Sequence, residues 1–358
     1  MSREALLRRI ADEGRVTFRD AMDSALNDPD DGWYGAGKAS IGAGGDFTTS
    51  PELSPVFGAC IASWVASQWE RLQRPPAFAV VEFGAGKGSL ARAVLDTLRD
   101  EVPEAYGSLR FVLVERSRAM RAHAREAVLA HAGRVEVLDA AGAAELSDTS
   151  LVLSNEFVDA LPVHVARVQG DGRLEELFVT ADPDGRFSSC WDRPSTGRIA
   201  DYVQRFVPGV ESGHEFSFEV GLDAWDWIER ITRGRESGGV LTFDYGDVAA
   251  RVAGPRQPEG TLRAMRARRA VADVVASLFE ADLTVDVNFD VLASTALANG
   301  WTVRPLVTQA EWLVRFGALD RIANATSASM AERLAMKTLI APGGLGDRLK
   351  VMELERQS

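Results

Sequence analysis

The feature that most constrains this chain is Val80 to Leu95, VVEFGAGKGSLARAVL: an apolar run reaching glycines at 84, 86 and 88 and passing straight into a helical pattern. A strand that ends in glycines and feeds a helix directs backbone N–H groups and the positive helix end at whatever lies in the crevice. The surrounding sequence repeats the strand half of this unit. FAVVEF, LRFVLVE, RVEVLD and SLVLSNEF are short Val- and Leu-rich runs separated by helical or polar stretches. That alternation predicts an α/β fold with a parallel sheet, crossover helices covering its faces. Ahead of it, residues 1–75 read as helical around a Gly-rich loop, with Ser54 and Pro55 opening the helix VFGACIASWVASQWERL. Residues 76–163 form the core. Residues 164–236 read as an inserted α/β lobe, in which alternating runs on either side of DPDG predict an antiparallel hairpin. Residues 237–358 return to the core through the buried strand GVLTFDYGD, add a helical insertion, and close with a final strand in RLKVMELER.

Composition removes several classes of function. With 52 acids against 40 bases, the net charge of −12 leaves no basic stripe for neutralising phosphates, so a nucleic-acid partner is not expected and a cationic one is. Two isolated cysteines, Cys60 and Cys190, and four scattered histidines give neither a disulfide framework nor metal-ligand spacing. A reducing, cytoplasmic setting is the expectation. The N-terminal MSREALLRRIADEGRVTF alternates charged and apolar residues, unlike a signal peptide or a membrane span, and no later run reaches membrane length.

The glycines follow G-x-G-x-G, not the G-x-G-x-x-G of a dinucleotide fold, and Glu82 precedes the first by two residues. A carboxylate there repels a pyrophosphate but suits the amino group of an amino-acid moiety. Glu115 ends the next strand, 27 residues after Gly88, where a carboxylate can accept both hydroxyls of a ribose. Asp139, followed by Ala140, ends the third strand, beside the place of an adenine edge. Glycine turn, ribose acid and adenine acid on consecutive strands describe S-adenosylmethionine. A plainer role is open to Glu115, which could cap the helix that begins near Ser117. At the fourth strand, Asn155 and Glu156, with Asp159 a turn further, sit where a methyl group would emerge. Carboxylates there would hold a guanidinium or amine nucleophile by charge-assisted hydrogen bonds, or else only tie down the strand-helix corner.

The pieces GGDFTTSPELSPVFG, EFGAGKGSL, LVLSNEFVDALPVHV, FDYGD, EGTLRAM and DLTVDVNFDVL resemble, in this order, the MidA-like methyltransferases. That family includes the mitochondrial arginine methyltransferase that assists respiratory complex I assembly. The resemblance runs from about residue 17 to 355. It implies a class I, Rossmann-like methyltransferase fold with a seven-stranded, mostly parallel sheet, and S-adenosylmethionine as cofactor. It also implies that a loop holding Asp46, Phe47, Thr49 and Ser50 closes over that cofactor, and that Tyr245, Arg263, Asp286 and Asn288 face the substrate. Asp286 and Asn288 stand where the family usually has His and Asp. The acceptor therefore stays open between an arginine or amine on a protein or peptide and a small molecule methylated on N or O. A cofactor-binding assembly chaperone is the non-catalytic alternative, and a nicotinamide oxidoreductase is disfavoured by the glycine spacing. Monomer and homodimer are both compatible with the sequence.

Overall fold

A computed structural model describes residues 1–39, 49–139, 150–267, 269–325 and 329–357. They form two compact units, each assembled from three stretches of chain.

The unit made of Ser40–Phe157, Ile231–Asp244 and Ala296–Ser358 is built on one sheet. Its strands are β1 (Phe78–Phe83), β2 (Leu109–Val114), β3 (Val135–Leu138), β4 (Ser150–Asn155), β5 (Gly238–Asp247), β6 (Thr302–Val303), β7 (Val307–Thr308) and β8 (Leu349–Arg356). The last three residues of β5 belong to the other unit. Across the sheet the order is β6, β8, β5, β4, β1, β2, β3, with β7 also on β8. From β5 to β3 every pairing is parallel, while β6 and β7 run antiparallel to β8. The protein is thus α/β with a mixed sheet. Two of its strands, β6 and β7, are only two residues long, so a count of seven full strands describes the sheet in outline only.

The central strands are apolar nearly throughout because both faces are covered: Val80, Phe111, Leu113, Leu151 and Leu241 are fully buried. Helix α1 (Pro55–Arg71) starts at the expected place, with Pro55 in its first turn and the Ser54 hydroxyl accepting the Val56 N–H. Helix α2 (Ser89–Glu101) buries Leu90, Ala91, Val94, Leu95 and Leu98 on one face. The two helices approach closely where Gly58 meets Ala93; a Cβ on Gly58 would lie 2.4 Å from that of Ala93. Phe243 of β5 stands edge-on to both Phe57 and Trp312, with ring centroids 5.0 Å away in each case. The buried Trp64 indole donates to Glu353 of β8 at 2.9 Å.

The other unit gathers Met1–Ala39, Val158–Arg230 and Tyr245–Thr295. Its larger sheet is antiparallel: Leu174–Ala181 pairs with His164–Val168, which pairs with Phe216–Val220. Leu174–Ala181 also pairs with Phe187–Asp192, forming the hairpin that DPDG predicts. There Gly185, at φ 77°, donates to the Asp182 carbonyl at 2.9 Å. A smaller three-stranded sheet joins Arg263–Arg266 to Arg269–Val271 and Asp282–Thr284. Among the described residues, no helix is long and apolar enough to cross a membrane.

Candidate functional site

The three glycines do not share one reason. All have left-handed backbones, with φ of 71° at Gly84, 53° at Gly86 and 78° at Gly88. A Cβ on Gly84 would lie 2.8 Å from the Phe157 ring, and one on Gly88 would lie 3.0 Å from the Ala124 Cα. Those two positions are dictated by the protein's own packing. A Cβ on Gly86 would meet nothing within 4 Å among the described residues, so this glycine alone opens onto free space.

Glu115, just past β2, fixes that geometry. One carboxylate oxygen accepts the Gly86 N–H at 2.9 Å and the other accepts the Ser117 N–H at 2.7 Å. Ser117 in turn caps helix α3 (Arg118–Ala127) by accepting the Met120 N–H at 3.4 Å. Burial raises the Glu115 pKa despite these donors. The helix cap is therefore Ser117, and Glu115 ties the glycine turn to the residue that caps the helix.

Among the described residues, two polar atoms nearby lack partners. Glu82 of β1 is 3% exposed and its Oε2 has no hydrogen bond. Burial, with the charge of Glu115 added, pushes its pKa up to about 8. Asn155 ends the adjacent strand β4; its Oδ1 is buried without a partner, while its Nδ2 donates to Glu156 Oε1 at 3.1 Å. Glu156 follows with φ 50°, a conformation that a side chain seldom adopts, and its N–H donates to the Phe243 carbonyl at 2.9 Å. The buried Asp244 accepts the Phe157 N–H at 3.2 Å and holds the corner from the β5 side. Free space at Gly86 and orphaned oxygens on two adjacent strand ends fit a ligand that carries an amino group and hydroxyls.

The remaining expected positions differ in standing. Asp139 is exposed at the end of β3. Thr49 is half-buried, whereas Ser50 is fully buried and its hydroxyl donates to Gln309 at 2.8 Å. Asp46, Phe47 and Ala140 lie outside the described residues. Asp159, Tyr245, Arg263, Asp286 and Asn288 all fall in the unit that does not contain the glycine turn. Asp159 is 5% exposed and its carbonyl accepts the Val285 N–H at 3.1 Å. Arg263 and Asp286 form an ion pair at 2.7 Å. Asp286 and Asn288 also line a pocket together with Tyr202 and Glu219. Neither of the last two is singled out by the sequence reading. The signals were an acid in the alternating strand FSFEV and a glycine in EGTL: a Cβ on Gly260 would lie 2.4 Å from Glu219 Oε1.

Residues 60–307 match the family model described as "Putative S-adenosyl-L-methionine-dependent methyltransferase". This chain belongs to that family. It is 31% identical to the Drosophila melanogaster "Protein arginine methyltransferase NDUFAF7 homolog, mitochondrial", over 82% of this chain and 69% of that one. The mouse protein arginine methyltransferase NDUFAF7, also named mitochondrial, is 28% identical over 87% of this chain and 73% of its own. A crystal structure from Burkholderia thailandensis, bound to S-adenosyl-homocysteine, superposes with a TM-score of 0.83 at 26% identity, covering 99% of this chain and 91% of that one. The protein is an S-adenosylmethionine-dependent methyltransferase. The cytoplasmic expectation is corrected by these relatives, whose names place them in mitochondria. Sparse cysteines report a reducing environment, which does not distinguish one reducing compartment from another.

Proposed function

We propose that this methyltransferase alkylates a guanidinium or amine nitrogen, with the arginine of a protein as the first candidate because its relatives are named protein arginine methyltransferases. When bound, S-adenosylmethionine supplies an electrophilic methyl group on a sulfonium. Glu82 would hold the amino group of its methionine part, the Gly86 edge would admit it, and Glu115 would accept the ribose hydroxyls. Asp139 would face the adenine, with Thr49 also on the cofactor. Ser50, its hydroxyl committed to Gln309, has no part in this reading. The sheet is read as the class I arrangement, with β6 and β7 as one interrupted edge strand.

The observation that carries the acceptor side is Glu156, kept at φ 50° at the end of β4 beside the orphaned Asn155 oxygen. Strained backbone at a buried strand end persists where a side chain must be aimed. Glu156 would accept an N–H of the acceptor, orient the nitrogen lone pair and take up the proton released on methylation. Asp159 is retained as a second acceptor-side carboxylate, to be tested by its own Asp159→Asn variant. A small-molecule acceptor is the second reading, favoured by Asp286 and Asn288, the two departures from the family pattern, lining one pocket. The test is to transfer a labelled methyl group from the cofactor to arginine-containing proteins of the native host and locate the label. Recovery on a guanidinium nitrogen supports the reading; recovery on an oxygen, or on a small molecule alone, contradicts it.

A further inference from the structure

Glu219 lies in a setting that the glycine turn and Glu156 leave unexplained. It lines a pocket whose walls include Leu161, Val163, Val252 and Val287. Its Oε1 accepts the Thr261 and Leu262 N–H groups, both at 2.8 Å, and its Oε2 accepts the Thr261 hydroxyl at 2.9 Å. All three donors are neutral. Among the described residues no cation pairs with Glu219, and Arg263, two residues beyond Thr261, is taken by Asp286 at 2.7 Å. The pocket also holds the Tyr202 hydroxyl, kept protonated by burial against its hydrogen bonds to Gly221 and Asn288. A carboxylate facing apolar walls without a counter-charge is costly to ionise, and the same low polarity strengthens its attraction for a cation that enters. An occupant with an aliphatic stem and a cationic head satisfies both the walls and the acid.

We propose that this pocket binds an alkyl cation, a guanidinium or ammonium on an aliphatic stem, with Glu219 as the anion that selects it. The inference rests on the reading of a cationic acceptor and adds a pocket, within the unit that lacks the glycine turn, for a cationic side chain of that acceptor. Glu219 is a specificity determinant here, distinct from the carboxylate proposed to act at the reacting nitrogen.

Isothermal titration of the full-length protein with N-butylguanidinium and with its uncharged isostere N-butylurea tests it. Wild type should bind the cation at least tenfold more tightly than the urea. Glu219→Gln keeps both backbone acceptor contacts at Oε1 and removes the charge, so that preference should vanish while S-adenosylhomocysteine still binds. Ala224→Leu fills the same pocket without touching the polar network and should abolish binding of both probes. Equal binding of the two probes to wild type overturns the proposal, as does a preference that survives Glu219→Gln. Should Glu219→Gln fail to fold, undiminished binding of N-butylguanidinium by Ala224→Leu is enough to overturn it. Label recovered on arginine together with a failed titration would sink this inference alone. A successful titration with label on another atom would sink only the proposed acceptor chemistry.

Discussion

At the scale of one residue, Glu82, proposed to hold the cofactor's amino group, is a buried acid with a raised pKa. A carboxyl group with its pKa raised from 4.5 to about 8 holds a proton in the folded protein that it has lost in the unfolded chain at neutral pH. The folded state therefore binds more protons between those values, and stability falls as pH rises through that window. Glu82→Gln should flatten this decline and leave the ligand-free protein more stable above pH 8, by on the order of a few kcal/mol, as melting curves across pH would show. An ammonium group binding beside Glu82 favours the ionised carboxylate and so expels that proton. Titration of S-adenosylhomocysteine in buffers of different ionisation enthalpy should detect the release, and Glu82→Gln should remove it. The glycines separate in the same way. Gly84→Ala meets the Phe157 ring and should cost about 1–3 kcal/mol in addition to backbone strain, whereas Gly86→Ala bears the strain alone and should lose stability least. The sequence presents the three as one cradle, because Phe157 and Ala124, which decide two of them, come from elsewhere in the chain.

At the scale of elements, legibility followed burial. The strands β1, β2, β4 and β5 are visible as Val- and Leu-rich runs because parallel strands covered on both faces are apolar at nearly every position. The hairpin after Leu174 is visible because DPDG carries its own turn chemistry. The two-residue strands β6 and β7, and the pairing of Val16 and Thr17 with Val179 and Phe178, leave no such trace. Their register is set by the partner strand, and two residues hold no periodicity. Phe243 joins strand to helices in the core, between Phe57 and Trp312. Phe243→Ala should cost about 3–5 kcal/mol in chemical denaturation. It should also weaken the cofactor, since the Phe243 carbonyl receives the Glu156 N–H and a loosened β5 frees that corner.

For the whole molecule, the least legible property was the assembly of each compact unit from three separated stretches of chain. A linear reading divides the chain at changes of pattern, while compactness depends on contacts between segments hundreds of residues apart, such as the hydrogen bond from Tyr34 to Asp282 at 2.6 Å. The same separation hid Glu219: its partners Thr261 and Leu262 lie more than forty positions downstream. Glu82, Glu115 and Asp139, the acids proposed for the cofactor, stand out in the sequence because each falls at or near the end of one of three consecutive strands, whereas the proposed acceptor side draws on positions with no fixed spacing. Glu156 is the residue proposed to turn cofactor binding into methyl transfer. The deciding measurement is single-turnover methyl transfer by Glu156→Gln beside wild type, with cofactor affinity and melting temperature taken on the same samples. Cofactor affinity within about twofold, an unchanged melting temperature and a rate lower by roughly a hundredfold, equivalent to about 2.7 kcal/mol, is the predicted result. A cofactor-competent variant with full activity, or one that loses affinity, stability and activity together, would contradict it.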